Sequence, residues 1–257
     1  ITGLDLVFEN HPEYKNVHVH QDCLSSVILK AAKKHGVPVR IAHSHNANQD
    51  RNLKYPIKLW YRREIPQYAT NLFACGKDAG DWMFGGAPYQ IVDNAIDAAV
   101  YTCDPAKRMK MRKQLGLSEE FAVGHVGRFN PQKNHPFLLA IFAVLLKKEP
   151  NATLLLVGGG EDMPKMQAKA RELGIADHVR FLGVRSDVAD LMQAMDVFAF
   201  PSLYEGLPVT MVEAQAAGLP CIISDKVPPE CILTEGLLHV MPLSAGAEAW
   251  AAAILEN

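Results

Sequence analysis

Short apolar runs alternate with longer amphipathic stretches almost from end to end of the chain. The runs at 17–20, 39–43, 71–75, 121–126, 153–157, 179–182, 197–200 and 221–224 are mostly continuous and rich in Val, Leu, Ile or Phe, as expected of strands buried on both faces. Between them, helical patterns cover 24–35, 56–69, 105–115, 136–149, 164–173, 188–195, 209–217 and 245–255. Strands separated by helices at this spacing imply right-handed crossovers and mostly parallel sheets, hence an α/β fold. Gly36, Gly116, Gly174 and Gly218 fall just after helical stretches, where a left-handed cap residue is wanted. The alternation breaks once, over 85–105 (GGAPYQIVDNAIDAAVYTCDP), and a fresh helix–strand series follows. A domain junction is expected within 94–104 and is drawn after residue 98, giving units 1–98 and 99–257.

Composition narrows the classes. The 257 residues are 49% hydrophobic and 21% charged, with 26 Lys+Arg against 28 Asp+Glu. That balance gives no global field for nucleic acid, and no apolar run has the length of a membrane span. The five cysteines are widely spaced, without a Cys-x-x-Cys pair, which suits thiols in a reducing, cytoplasmic compartment rather than a disulfide scaffold or zinc module. The chain opens on Ile1 in mid-pattern, so the first unit is expected to lack its beginning.

Ligands of open parallel sheets bind at the carboxyl ends of the strands, and three such loops carry chemistry. In VGRFNPQKNHP (126–136), Arg128 and Lys133 precede a helix start. A forked guanidinium and a movable ammonium suit a diphosphate, which the helix N-terminus also favours. In PSLYEGLPVTMVEAQAAGLP (201–220), Glu205 lies in a turn and Glu213 about one turn into the helix expected to start near Pro208. The backbone of Gly206, Leu207, Pro208, Val209 and Thr210 offers N–H groups to an anion at the helix start. Glu213 can take hydrogen bonds from a ribose diol, or can simply sit favourably near a helix N-terminus. In GGGED (158–162) the glycines permit close backbone approach. A tight turn beneath the site is the expected role, with ligand contact as the alternative.

The first unit contributes histidines: His18 and His20 in VHVHQD, His43 and His45 in IAHSHN. Spacing two places each pair on one strand face, a geometry compatible with metal. No Cys or carboxylate cluster accompanies them in sequence, so one cleft-facing histidine and three structural ones are expected instead. The basic, aromatic stretch 51–63 (RNLKYPIKLWYRR) reads as an amphipathic helix on its own sheet, with an interfacial membrane helix as the alternative.

The motifs GHVGRFNPQKNH, LLLVGGGED, VRFLGVRSDVADLMQAMDVFAFPS and YEGLPVTMVEAQAAGLPCIISD stand in one order over about 121–225. This half resembles the nucleotide-sugar domain of the retaining family 4 glycosyltransferases, which have the GT-B fold. The first unit, from VHVHQD to FACGKDAGDWMFG, is similar to the later part of the acceptor domain in enzymes of capsular or exopolysaccharide assembly. The resemblance implies a GT-B architecture of two Rossmann-like parallel-sheet domains, the first incomplete. It implies that Arg128 and Lys133 hold the donor diphosphate, that Glu213 binds the ribose, and that Glu205 lies near the donor sugar. The backbone at 206–210 lies along sugar and phosphates, and 181–185, with Val184, sits beside the base. His45 is chosen as the acceptor-domain histidine near the sugar, with His43 one alignment step away. No metal or cofactor is implied. Two departures stand out: the usual Asn-Gly-Ile-Asp hinge reads Asn94-Ala95-Ile96-Asp97, and nothing before Val17 matches the family.

The activity expected is transfer of a sugar, with retention, from a nucleotide sugar (a UDP-sugar) to a glycan or lipid-linked acceptor in surface polysaccharide biosynthesis. A cytoplasmic place, with peripheral contact at the inner membrane face as an option, goes with it. Nucleotide-sugar binding without turnover and a UDP-sugar 2-epimerase-like reaction are the alternatives. No dinucleotide glycine fingerprint exists, which argues against a dehydrogenase.

Overall fold

The computed structural model describes residues 3–48, 53 and 55–257. By contacts the chain forms two compact units, Ile1–Asn94 with Glu205–Leu207, and Ala95–Tyr204 with Pro208–Asn257.

The first unit runs α1 (Gly3–Asn10), β1 (Asn16–Val19), α2 (Ser25–Lys34), β2 (Val39–Ser44), α3 (Tyr55–Tyr68), β3 (Asn71–Ala74), α4 (Lys77–Phe84) and β4 (Gln90–Ile91). Its four strands form one parallel sheet in the order β1-β2-β3-β4. Val19, Leu29, Ala42, Ile65, Ala74, Met83 and Phe84 make its main core. Ile65 anchors α3 there, while Ile57 and Trp60 on the same helix are exposed. Arg62 stacks its guanidinium over the Trp82 ring and donates to the Trp82 carbonyl at 2.7 Å. Arg51, Asn52 and Lys54 of the basic stretch lie outside the described residues.

The second unit runs α5 (Ala98–Tyr101), α6 (Pro105–Gln114), β5 (Phe121–Val126), α7 (His135–Lys148), β6 (Ala152–Val157), α8 (Met163–Glu172), β7 (Val179–Gly183), α9 (Val188–Gln193), β8 (Val197–Phe200), α10 (Val209–Ala216), β9 (Cys221–Ser224), β10 (Leu238–Met241) and α11 (Gly246–Leu255). The sheet is parallel, in the order β10-β9-β8-β5-β6-β7. Every residue of β6, β8 and β9 is buried, the expected state of a strand covered on both faces. Leu138, Phe142 and Leu145 of α7 and Trp250 and Ile254 of α11 fill its main core.

Asp104 caps α6, accepting from the Ala106 and Lys107 amides with Pro105 in the first turn, so the helix begins where the sequence places it. The four cap glycines have positive φ, as expected. Ala95 does not, so the hinge segment runs without the left-handed residue that the family's glycine would allow. No described helix is long and apolar enough to cross a membrane. All five cysteines are unbridged thiols, Cys103 exposed and the rest buried.

Candidate functional site

In the second sheet the strand order reverses between β5 and β8: β6 and β7 follow on one side, β9 and β10 on the other. The crevice at the carboxyl ends of such a pair is where open α/β sheets bind ligands. The loops leaving β5 and β8 are the two richest in candidate residues.

After β5, Phe129 is buried and stacks on His135 at 4.1 Å between centroids, while Arg128 is exposed. Arg128 lines a cleft of about 540 Å³ with Val126, Gly127, the glycines 158–160, Val184 and Arg185. Val184, the residue expected beside a base, is 83% exposed there. A one-turn 3-10 helix, Pro131–Lys133, then leads to Asn134 in the left-handed region and to α7. It sets the Lys133 Nζ 4.6 Å from the centroid of Phe200, at the end of β8. The ammonium is thus held against an aromatic face, a cation–π contact that orders it before any anion arrives.

The floor of the cleft explains the three glycines. A Cβ on Gly158 would come within 2.1 Å of the Gly127 carbonyl oxygen, and one on Gly160 within 2.3 Å of the Phe129 oxygen. Close approach lets the Gly127 amide donate to the Val157 carbonyl, Phe129 to Gly159, and Gly158 to Gly183. The segment is therefore both a tight turn and part of the cleft wall.

Beneath this loop lie two histidines that sequence reading passed over. His125 in β5 and His135 at the start of α7 are buried, 0% and 1% exposed, and their rings meet edge-on at 4.9 Å. His125 Nδ1 pairs with the Ala199 carbonyl at 2.9 Å. Its Nε2 and both His135 nitrogens have no hydrogen-bond partner. Burial, with the neighbouring Lys133 charge, pushes His135 down to about 4; burial, with the His135 ring beside it, holds His125 well below the usual range. The available signal was a His interrupting the apolar run FAVGHV.

After β8, the loop is laced to its β5 counterpart: the Leu203 amide donates to the Gln132 carbonyl at 2.8 Å, and Gln132 Nε2 to the Tyr204 carbonyl at 3.0 Å. Pro208 stands at the α10 N-cap, followed by exposed Val209 and half-buried Thr210. Glu213, one turn into α10, accepts a 2.6 Å hydrogen bond from the Tyr101 hydroxyl on α5. Glu213 does not line the Arg128 cleft. Burial and this carboxylate push Tyr101 up to about 12, so it stays a donor at neutral pH. Tyr101 lies in the short helix that sequence reading left as linker.

Glu205, Gly206 and Leu207 group with the first unit. Glu205 is buried, 6% exposed. A Cβ on Gly206 would meet the His45 carbonyl oxygen at 2.1 Å, so only glycine fits at this point. The Leu207 amide donates to Cys75 Sγ at 3.3 Å, and Asn94 Nδ2 donates to the Leu207 carbonyl at 2.8 Å. The expectation of N–H groups offered along 206–210 is thereby corrected at Leu207, whose donor is already used.

His18 of β1 and His43 of β2 meet across the strand pair, with His20 and His45 just past the strand ends. His18 Nε2 lies 3.2 Å from His43 Nδ1, and His20 Nδ1 lies 2.7 Å from His45 Nε2. His43 is buried, and desolvation together with its imidazole neighbours pushes it down to about 4. His45 is lowered by the same causes.

The two Rossmann-like parallel-sheet units, with a cationic loop at the switch point of the second, are those of the GT-B fold. The family Glycosyl transferases group 1 matches residues 107–256, and the chain belongs to it. It is 37% identical over 255 residues to the Bacillus subtilis (strain 168) protein that carries the glycosyltransferase name EpsF, covering 96% of this chain and 66% of that one. It is 26% identical over 236 residues to the Escherichia coli UDP-Gal:alpha-D-GlcNAc-diphosphoundecaprenol alpha-1,3-galactosyltransferase, covering 86% of this chain and 60% of that one. The chain thus spans somewhat less than two thirds of the length of these relatives. Its fold is that of Anabaena HepE, solved with UDP and glucose, at a TM-score of 0.82 and 22% identity, covering 98% of this chain and 70% of that one.

Proposed function

We propose that the second unit binds the nucleotide diphosphate of a UDP-sugar and that the protein to which this chain belongs transfers the sugar, with retention, to a glycan or lipid-linked acceptor in surface polysaccharide assembly. The observation that carries this reading is the switch-point crevice, where Arg128 faces a cleft floored by backbone and Lys133 is held over Phe200. Two cations of different shape at one strand end suit a diphosphate leaving group, whose developing charge they stabilise as the glycosidic bond to the donor breaks. In this reading the two side chains take the part a metal plays elsewhere, and no resident cofactor is needed at the diphosphate.

Val184, with the 181–185 segment, lies beside the base. Glu213, kept as an acceptor by Tyr101, binds ribose hydroxyls. The helix start at Pro208, Val209 and Thr210 lies along the phosphates, with Gly206 and Leu207 preceding it. Glu205 and His45 keep the roles the resemblance implies, contact with the transferred sugar. The glycosyltransferase name of EpsF supports the transfer reading, and the diphosphoundecaprenol acceptor in the name of the galactosyltransferase supports a lipid-linked acceptor. A lipid-linked acceptor brings the enzyme to a membrane surface, for which the exposed Ile57 and Trp60 of α3 are suited.

Calorimetry with UDP tests the assignment. Each charge-assisted contact contributes about 1.5–3 kcal/mol, so Arg128→Ala and Lys133→Ala should each weaken UDP binding by about 10- to 150-fold. Unchanged affinity in both variants would overturn the phosphate assignment.

A further inference from the structure

The histidines at the carboxyl ends of β1 and β2 form a cluster that the transferase reading uses only through His45. The pairing register places Val19 opposite Ala42, so the alternating histidines of the two strands emerge on one face as a ladder. Ring centroids are 4.2 Å apart for His18 and His20, 5.3 Å for His18 and His43, and 5.1 Å for His20 and His43. The edges of the His18 and His43 rings are backed by Phe73 at 6.1 and 6.0 Å.

We propose that His18, His20 and His43 bind a divalent transition-metal ion of the imidazole-preferring class, with Zn(II) as its type. One nitrogen from each of the three lies within 4.8 Å of the other two. Zinc–nitrogen bonds of about 2.0–2.1 Å in a tetrahedron put ligand nitrogens about 3.3 Å apart. His18 Nε2 and His43 Nδ1 already stand at 3.2 Å. The cation takes the place of the proton these two nitrogens share, and tautomerisation moves that proton to a remote ring nitrogen. For His43 the remote nitrogen is Nε2, buried and without a hydrogen-bond partner, with the Val92 backbone beside the ring as the group that favours a proton there. A ligating histidine ordinarily gives its second N–H to such a backbone group or to a side chain. His20 does the latter: with Nε2 on the metal, its Nδ1–H donates to His45 Nε2 at 2.7 Å.

Metal at this site therefore fixes the tautomer of His45 as well. His18 and His20 are exposed, which leaves an entry path and a solvent-facing fourth position. In the sequence the spacing is compatible with metal, but no Cys or carboxylate cluster accompanies either pair; the strand pairing supplies the further imidazole. The inference is independent of the donor-site reading.

The test titrates the full chain, carrying no histidine tag, with Co(II) followed by visible absorption, and with Zn(II) by equilibrium dialysis. One equivalent should bind at micromolar concentration, with the intense visible bands of low-coordinate cobalt. His18→Gln and His20→Gln, both at exposed positions, should each weaken binding at least tenfold while circular dichroism stays unchanged. His239→Gln, an exposed histidine of β10, should leave it intact. Absence of saturable binding below millimolar metal, or binding that survives both cluster substitutions, overturns the proposal.

Discussion

His135 has two buried nitrogens and no partner for either, so folding must keep its ring neutral. With the ring held at about 4 in the folded chain against about 6.5 when unfolded, the unfolded state takes up a proton that the folded state refuses. The stability at stake is whole above about pH 6.5 and drains away as pH falls towards 4, amounting to about 3 kcal/mol in all and about 2 kcal/mol at pH 5. His135→Phe removes the titrating ring without orphaning a hydrogen bond. Urea denaturation at pH 7 and pH 5 should show the variant losing about 2 kcal/mol less than the wild type over that interval; equal losses would clear His135 of the effect. At this scale the sequence was legible where chemistry is local. Arg128 and Val184 could be placed on one cleft because each follows the end of a parallel strand. His125, His135 and Tyr101 could not be found, because their importance lies in a neighbour 10 residues away (His125 with His135) or |i−j| = 112 away (Tyr101 with Glu213).

Among the elements, α6 is tied to the sheet through Arg108 and Arg112, which donate to the carbonyls of Gln193, Ala194, Met195 and Glu120 and share one carboxylate. Asp196, just before β8, accepts from Arg108 Nη2 at 2.5 Å, Arg112 Nη1 at 3.3 Å and the Ala122 amide at 2.7 Å. Arg112 is 11% exposed at its side chain, so removing its carboxylate leaves a poorly solvated charge held only by the carbonyls of Ala194, Ser118 and Glu120, as well as an unpaired Ala122 amide. Asp196→Ala should cost about 2–3 kcal/mol, read as a lower urea midpoint with unchanged slope, whereas Asp187→Ala, facing Arg185 at the surface, should cost less than about 1 kcal/mol. The long elements were legible because apolar runs and helix periods repeat often enough to be unambiguous. Those missed are short or half-exposed. β4 has two residues, both exposed, and β10 (LHVM) lies at the sheet edge without the continuous burial that marks its neighbours. α1, α4 and α5 have eight, eight and four residues, too few turns for a period to declare itself.

At the scale of the whole molecule, each unit closes its own core, and the tryptophans divide between them. Trp250 is fully buried in the second, Trp82 packs against the core of the first, and Trp60 is exposed on α3. The three are all the chain has, so a Trp60→Phe, Trp82→Phe variant leaves Trp250 as the sole tryptophan reporter, in the second unit. UDP at one hundred times its Kd should raise the stability read by Trp250 by about 2.7 kcal/mol, and Arg128→Ala should forfeit about half to nine-tenths of that gain at the same concentration. An identical shift in both would detach Arg128 from the nucleotide. The all-parallel sheets have a consequence in time as well as in space. Parallel neighbours cannot zip from a hairpin, and the pairing that creates the switch point, Val123 of β5 with Val197 of β8, joins positions as far apart in sequence as His125 and Ala199, 74 residues. Against the β5–β6 pairing of Phe121 with Ala152, closing that longer loop adds only about 0.8 kcal/mol of entropy. The effect on speed is larger, because non-local pairing governs folding rates. On an emerging chain the crevice cannot exist until β8 has been synthesised, and the apolar flank of β5 must wait uncovered through some seventy residues of translation.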